Sequence, residues 1–381
     1  MISTVSFLND AASEMIVPLL PLFLTTVLGG TAVSVAVIEG AADAVAAVLK
    51  LGAGRLGDRS GRQKPFIVGG YALAGLSRTL IALATSAGMV AGLRVIDRVG
   101  KGLRSAPRDA LLAASADPAD RARVFSFHRA LDNGGALVGA GVAWWLLSQE
   151  GLALRSVFFA SALPALLAVA LVAFAVKDRP AIPAAGPIWP GLPTPALRRV
   201  LWPLALFTAG HVGDTLLLLR ASELGAAPAT LPLLWMGLHL VKSVAGLGAG
   251  AVAERLGRLP LVVFGWTWCA ATYAVLGLTD TLAVYVPLFV AYGLYHGLVE
   301  GTERALVADL APVGARGTAF GWYHLTSGVG ALPASLLLGG LWAGAGATVA
   351  LGVAAVLTAA AAGALMYHGR DVAPVDLGSG R

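Results

Sequence analysis

The sequence predicts an all-α polytopic membrane protein, with twelve transmembrane helices in two pseudo-symmetric six-helix halves. Composition is the first ground. Of 381 residues, 57% are hydrophobic and 13% charged, and the mean hydropathy is +0.78. A soluble domain carries about 25% charged residues, so this balance points to lipid. The second ground is that apolar stretches of about 20 residues, long enough to cross a bilayer as helix, recur along the whole chain. The third is a basic, glycine-rich loop, Gly54 to Lys64, that returns more weakly as Gly250, Glu254, Arg255, Gly257 and Arg258. Asp58 to Glu254, Gly61 to Gly257 and Arg62 to Arg258 are each separations of 196 residues.

The spans of the first half fall at 5–28, 33–53, 66–86, 88–112, 122–147 and 155–177. Those of the second fall at 199–219, 229–252, 260–278, 281–309, 316–342 and 345–367. Residues 1–177 and 199–368 are therefore read as the two halves, 178–198 as a linker and 369–381 as a tail. The linker is rich in Pro and Gly (Pro180, Pro183, Pro187, Pro190, Pro193, Pro195), which suits a connection and not a helix. No signal peptide is expected, because Val5–Leu28 is too long for an h-region and lacks a small-residue cleavage site. The single cysteine, Cys269, excludes an internal disulfide and a cysteine-based metal cluster. The 48 glycines fit helices that pack closely without hydrophobic drive between them.

The repeat extends beyond the loop. Leu51, Gly52, Ala53 and Gly54 map onto Leu247, Gly248, Ala249 and Gly250, Arg108 onto Arg304, and His128 onto His324. Matches in three places at one separation argue for duplication. Near the first span of each half the register drifts, and Asp10 fits Asp214 better.

Lys and Arg set the orientation. Arg55, Arg59, Arg62, Lys64, Arg121, Arg123, Lys177, Arg179, Arg198, Arg199, Arg255, Arg258 and Arg316 all fall on one side. The opposite breaks carry little: Asp280 alone, Arg155 with Glu150, Arg220 with Glu223. The basic side is expected to be cytoplasmic, and with it both termini, in a plasma (inner) membrane. Trp144, Trp145 and Trp342 near outer ends, and Trp202 near an inner end, read as interfacial anchors. A net charge of +6 could suggest nucleic acid. The bases lie in short loops between apolar segments, so that partner is excluded.

The run G-R-L-G-D-R-S-G-R-Q-K, from Gly54 to Lys64, resembles the signature loop of the major facilitator superfamily. The six-plus-six duplication resembles that superfamily (the MFS fold) along the whole chain. The resemblance implies that Asp58 caps a helix and pairs with an Arg across the domain interface, holding the outward-open state. It makes Gly54, Asp58, Arg59, Gly61, Arg62, Arg108, Glu254, Arg255 and Arg304 the gating residues. A carboxylate at a helix N-terminus is favourable in its own right, and Gly54 and Gly61 permit a tight turn. Leu256, Leu259 and Pro260 mark the second copy as drifted, so Glu254 and Arg255 are expected to matter less. Gly135, Gly139, Ala140 and Gly141 resemble the G-x-x-x-G-P motif of superfamily antiporters, with Ala140 where proline is expected. A small-residue packing seam explains them equally well.

Ionisable groups inside spans are costly and usually face a cavity or a partner. Asp10/Glu14, Glu39/Asp43, His128/Asp132 and His296/Glu300 are i,i+4 pairs, and His211/Asp214 and His239/Lys242 are i,i+3 pairs, each on one helical face. In the superfamily, spans 1, 4, 7 and 10 line the central path, with 2, 5, 8 and 11 beside them, and the polar residues concentrate there. The expected pathway and coupling set is Asn9, Asp10, Glu14, Glu39, Asp43, Arg98, His128, Arg129, Asp132, His211, Asp214, His296, Glu300 and His324. Arg94, Asp97, Arg98 and Lys101 also read as a structural ion network. The repeat position shared by His128 and His324 has duplication as a sufficient cause.

The reading is a secondary transporter that moves a small polar or charged solute by alternating access around a site between the halves. Protons are the favoured coupling ion, since desolvated carboxylates and histidines titrate near neutrality. No cofactor is expected, and the chain is expected to act as a monomer. G-x-x-x-x-G-K-[ST], G-x-S-x-G and H-E-x-x-H are absent, so neither an ATP-driven pump nor an enzyme is expected. Three alternatives stay open: a drug/proton antiporter, a lipid-handling protein on the same fold, and a transition-metal transporter. For the last, histidines with interior carboxylates permit a metal set, although no HxxxH or CxxC spacing supports one. The charge asymmetry yields one test. Tags near Arg62 and Ser379 should both be protected from impermeant reagents in intact cells, and labelling of either from outside would reverse the topology.

Overall fold

The structure, a computed structural model, describes residues 1–20, 23–28, 32–148, 153–179, 183–184, 191–227, 230–312 and 314–369, with side chains throughout except at 25–26, 32–45, 215, 232 and 332. It is all-α: among the described residues there is no strand. Linker residues 180–182 and 185–190, Glu150, and the tail beyond Gly369 lie outside the described residues.

The helices are α1 (Ile2–Glu14), α2 (Ala32–Ser60), α3 (Lys64–Ile81), α4 (Ala87–Ser115), α5 (Arg121–Ser148), α6 (Leu154–Ala160), α7 (Ala162–Phe174), α8 (Pro195–Ala209), α9 (Asp214–Glu223), α10 (Leu231–Leu256), α11 (Arg258–Gly277), α12 (Leu282–Leu310), α13 (Arg316–Ala345) and α14 (Ala347–Gly369). Six of the described stretches are long and apolar enough by themselves to cross a bilayer: Leu154–Phe174, Leu233–Leu256, Arg258–Gly277, Leu282–Leu310, Arg316–Ala345 and Ala347–Gly369. Helix α4 is long enough but carries Arg94, Asp97, Arg98, Lys101 and Arg104, so it depends on its neighbours to hide charge.

Three spans read as continuous are interrupted, the sixth only at Ser161 between α6 and α7. In the first, α1 stops at Glu14 and a 3-10 turn, Val17–Leu19, follows. Pro18 in that turn has no N–H to give to a helix. In the seventh, α8 stops at Ala209 and α9 starts at Asp214. Gly210 and Gly213 flank the break and weaken the helix there.

By packing, the chain forms two compact units. One holds Met1–Ser115, Leu131–Gly191 and Val313–Leu325. The other holds Ala116–Ala130, Leu192–Pro312 and Thr326–Arg381. The N-terminal parts of α5 and α13 thus belong to the unit built mainly from the other half. A shift of 196 residues carries 116–130 onto 312–326, so this exchange follows the repeat.

In the first unit α4 packs on α2 and α3, while α7 packs on α1 and α3. Val5, Ile67, Tyr71, Leu111, Ala168 and Val172 form a shared core. Gly135 and Gly139 of α5 lie against α1, where added Cβ atoms would sit 2.3 Å from the Phe7 carbonyl oxygen and 2.2 Å from that of Ala11. These glycines are a packing seam. In the second unit α10 packs on α12, and α11 on α12 and α14. The rings of Phe207 and Trp266 stack at 4.5 Å. Leu163, Leu166, Leu167 and Phe174 remain exposed on α7, as a lipid-facing helix requires. Trp144, Trp145 and Trp202 are exposed, whereas Trp342 is buried. Its indole Nε1 donates to Glu223 Oε1 at 3.0 Å, which removes it from the expected set of anchors.

Two of the close approaches are repeat equivalents. A Cβ on Gly54 would lie 2.0 Å from the Gly317 carbonyl oxygen, and one on Gly250 would lie 2.3 Å from Arg123 Cα. Gly54→Val and Gly250→Val should therefore each destabilise the protein by about 1–3 kcal/mol or more, the usual cost of overpacking. Thermal unfolding in detergent would read this as a lowered midpoint, while Gly52→Val, with open space around its added atoms, should leave the midpoint unchanged.

Candidate transport site and its gates

The break between α8 and α9 leaves backbone groups that lipid cannot satisfy. The Tyr273 hydroxyl, from α11, meets them. The Val212 N–H donates to it at 3.2 Å, and the Val212 carbonyl lies 3.3 Å from it. The same hydroxyl is 3.0 Å from His211 Nδ1 and 3.2 Å from the Tyr292 hydroxyl. Asp214 stands at the first position of α9, where the helix dipole favours a carboxylate.

A chain of charges runs from there. Lys242 Nζ donates to Asp214 Oδ2 at 2.8 Å, and the Tyr292 hydroxyl donates to Asp214 Oδ1 at 3.2 Å. His296 Nε2 is 3.2 Å from the Tyr292 hydroxyl and 3.6 Å from Asp214 Oδ1. Its Nδ1 is 2.9 Å from Glu300 Oε1. Glu300 Oε2 accepts from Arg129 Nε at 2.5 Å. Arg304 turns back on its own helix and donates to the Glu300 carbonyl at 2.6 Å. His211, Asp214 and His296 bring one donor atom each within 4.8 Å of one another. The sequence therefore placed His211, Asp214, His296, Glu300 and Arg129 in one candidate set, and the fold joins all five. It missed Tyr273, Tyr292 and, as a site residue, Lys242. Tyr292 had a readable signal, because it extends the His296/Glu300 pair by one more i,i+4 step.

The first unit carries a second network. Asp97, fully buried, pairs with Arg78 Nε at 2.7 Å and Arg94 Nη1 at 2.9 Å, and Arg98 Nη1 lies 3.9 Å away. Arg78 also donates to Asn9 Oδ1 at 3.1 Å, and Asn9 Nδ2 donates to Asp10 Oδ1 at 2.7 Å. Glu14 lies among Asp10, Arg78, Lys101 and Arg98. The Arg104 guanidinium sits 4.5 Å over the Tyr71 ring. His324 Nε2 is 2.9 Å from Asp109 Oδ2, and Arg108 bonds Asp109 Oδ1 and Ser6 Oγ, each at 3.1 Å. His128 and Asp132 are buried; His128 belongs to the second unit and Asp132 to the first. Glu39 and Asp43 lie on α2, with side chains outside the described residues.

The signature loop closes α2 against α13. Asp58 Oδ1 accepts from the Gly317 N–H at 2.9 Å, and Oδ2 from the Thr318 N–H and Oγ1 at 2.7 Å each. Gln63 Nε2 completes the set at 3.3 Å. Backbone N–H groups of a helix N-terminus thus stand where the resemblance implied an arginine; among the described residues no guanidinium bonds Asp58. Burial pushes the Asp58 carboxyl above its ordinary value, and the Thr318 and Gly317 bonds oppose that rise. Gly61 has φ +65° and Gly257 +93°, so both copies of the turn need glycine. Arg59 and Arg62 stay at the surface, and Arg255 is exposed.

The second copy keeps its cap despite its drifted neighbours. Glu254 Oε1 accepts from the Arg123 N–H at 3.3 Å, and Oε2 pairs with Arg123 Nε at 2.6 Å. Arg123 is the third residue of α5 and Thr318 the third of α13, so both carboxylates read the same point of a helix N-terminus. Arg121 pairs with Asp309 at 2.8 Å, and Arg258 pairs with the same carboxylate.

A duplicated helical bundle with a broken span, interior charge networks and paired end-caps defines a polytopic membrane carrier. The chain belongs to the Major Facilitator Superfamily, whose family model matches residues 2–219. It is 28% identical over 355 residues to an uncharacterized MFS-type transporter of Methanocaldococcus jannaschii, covering 88% of this chain and 86% of that protein. The multidrug resistance protein MdtH of Photorhabdus laumondii is 32% identical over 136 residues, 36% of this chain and 34% of that protein. Among solved structures, the human organic anion transporter MFSD10 matches with a TM-score of 0.80 at 14% identity, covering 96% of this chain and 97% of that one. At that identity the likeness is one of fold. The protein is thus a multi-pass membrane transporter of a family that binds small-molecule substrates.

The two caps yield a paired test. A carboxylate at a helix N-terminus contributes up to about 2 kcal/mol when partly buried. Asp58→Asn should speed maleimide labelling of a cysteine placed at the buried Ala319, and Glu254→Gln should do the same at the buried Ala122, each several-fold or more, in a Cys269→Ser background. An effect at Ala319 with none at Ala122 would make the second cap idle, as its drifted neighbours suggest.

Proposed function

We propose that the protein is a proton-coupled secondary transporter of a small polar or charged solute, working by alternating access as a monomer in the cytoplasmic (inner) membrane, with both termini and the Gly54–Lys64 loop cytoplasmic. The observation that carries this is the chain Lys242–Asp214–His296–Glu300–Arg129 beside the broken span. Each carboxylate there is held by a cation from a different helix. A proton on Glu300 would release Arg129 of α5 from α12, which converts protonation into a loosened helix contact. Unwound backbone at a broken helix is also the kind of element that lines carrier sites. The Asp58 and Glu254 caps would then hold the cytoplasmic ends closed in one state and release in the other. Export of organic compounds is a second reading, supported by the multidrug resistance relative; Ala140, in place of an antiporter proline, weighs against it.

A thermal-shift screen of purified protein against organic ions, sugars, drugs and metals identifies the substrate class. The compound that emerges is then followed in proteoliposomes under an imposed pH gradient. Wild type should accumulate it with the gradient. Glu300→Gln should lose gradient-driven accumulation but keep substrate-for-substrate exchange, which needs no net proton movement. Asp132→Asn and Asp10→Asn are the next variants to compare. A wild type indifferent to the gradient would make the protein a facilitated or otherwise ion-coupled carrier.

A further inference from the structure

We propose that His211, Asp214 and His296 form a binding site for one divalent first-row transition-metal ion, of the manganese-to-zinc series. Two imidazoles and one carboxylate are a donor set that suits these ions and disfavours Mg²⁺ and Ca²⁺, which take oxygen ligands. The donor atoms already lie within 4.8 Å of one another. Metal–ligand bonds of about 2.0–2.2 Å hold neighbouring ligands about 3–4 Å apart, so a small contraction closes the set.

Proximity alone would be weak support, since buried polar groups cluster for structural reasons. The outer partners add a separate reason. A metal-binding histidine typically gives its other ring nitrogen to a carboxylate or similar acceptor, which fixes ring and tautomer. His296 does so: Nδ1 is 2.9 Å from Glu300 Oε1, and Arg129 holds the far oxygen of that carboxylate. The lone pair is thereby left on Nε2, which faces Asp214 Oδ1 at 3.6 Å. His211 has its Nδ1 engaged by the Tyr273 hydroxyl at 3.0 Å, which leaves its Nε2 as the donor. Asp214 is divided in the same manner. Lys242 occupies Oδ2, and Oδ1 faces His296 Nε2. His296 and Asp214 therefore each present one atom inward and have the other tied from outside, and His211 has one ring nitrogen tied in the same way.

The backbone contributes position. His211 lies in the break and Asp214 at the first turn of α9, so one ligand comes from irregular chain, one from a helix start and the third from the continuous α12. The Tyr292 hydroxyl now lies 3.2 Å from Asp214 Oδ1, to which it donates, and 3.2 Å from His296 Nε2, and it is the group a cation would displace. Lys242 is the competing charge. Its ammonium neutralises Asp214, and a bound cation would weaken that pairing. The site thus takes a lysine or a metal as principal partner of Asp214, a choice that links occupancy to the α9–α10 contact. Binding to the purified chain does not depend on the direction or coupling of transport, so it stands or falls apart from the proposed function.

The test uses purified full-length wild type in detergent, with Co²⁺ as a spectroscopic probe and Zn²⁺ and Mn²⁺ by calorimetry. One ion per chain should bind, Co²⁺ should develop visible absorption of a nitrogen–oxygen site, and Mg²⁺ and Ca²⁺ should not compete. His211→Gln, Asp214→Asn and His296→Gln should each abolish binding. Glu300→Gln and Tyr273→Phe, which leave all three ligands in place, should weaken it about 10–100-fold. Lys242→Met gives the arm that misfolding does not imitate. It removes the competitor for Asp214, so Zn²⁺ should bind at least as tightly as to wild type and raise the unfolding midpoint by more. Absence of Co²⁺ or Zn²⁺ binding to wild type, or binding undiminished in both His296→Gln and His211→Gln, would overturn the proposal.

Discussion

The hydroxyl of Tyr273 is the interaction on which the site depends. A membrane helix that stops inside the bilayer exposes amides and carbonyls that lipid leaves unpaired, at a cost of several kcal/mol for each group. The break at 210–213 persists because one phenol from α11 reaches both polar groups of Val212. That frees His211 from helical geometry and lets Asp214 begin a new helix. Without the break, His211 and Asp214 would be an ordinary i,i+3 pair on one helix face. With it, they converge on Tyr292 and His296 of α12. The polar chain from Lys242 to Arg129 therefore begins with the satisfaction of two backbone groups.

A second constraint acts at the basic ends, where helices meet backbone to backbone. Gly54 and Gly250 allow that approach, and Asp58 and Glu254 meet the N–H groups it exposes. Both pairs stand 196 residues apart. The duplication has preserved the physics of the contact more faithfully than its sequence. Leu256, Leu259 and Pro260 do not take part in the cap, so their drift leaves it in place. Arg121, Arg258 and Asp309 add an ion-paired corner beside the second cap.

Much of this was legible in the sequence, and the remainder failed for identifiable reasons. Length and apolar content located the long helices to within a few residues, because a span must satisfy its backbone internally. The repeat located both turn glycines and both capping carboxylates. The His296/Glu300 pair followed from helical spacing. The break in the seventh span did not, because apolar residues on both sides of Gly210 and Gly213 mask two glycines that many membrane helices tolerate. Partners across helices were also invisible: nothing in the neighbourhood of Glu300 names Arg129, and nothing near Asp214 names Lys242. Trp342 shows the same limit, since an indole near a helix end serves as anchor or as hydrogen-bond donor according to what faces it, and here Glu223 faces it. The repeated histidines diverge similarly. His324 meets Asp109, whereas the position 196 residues beyond Asp109 is Ala305, so the partner of one histidine has no counterpart for the other.

The two charge networks differ in the way that matters for a carrier. Asp97 is fully buried among three guanidiniums, groups that stay charged at any physiological pH. Removing one partner of a buried pair leaves an uncompensated charge and costs about 3–5 kcal/mol, so this arrangement resists exchange of partners and suits a scaffold. The network around Asp214 and Glu300 is built otherwise. Each carboxylate pairs with one cation, the two share His296, and Tyr292 bonds Asp214. A hydroxyl donates or accepts, and a neutral imidazole carries one donor and one acceptor, so partners there can be traded one hydrogen bond at a time. The cost of any single exchange stays small because a neighbouring group takes up the vacated bond. A carrier needs an element with two arrangements of similar energy, and the network around Asp214 and Glu300 has the side chains to supply one.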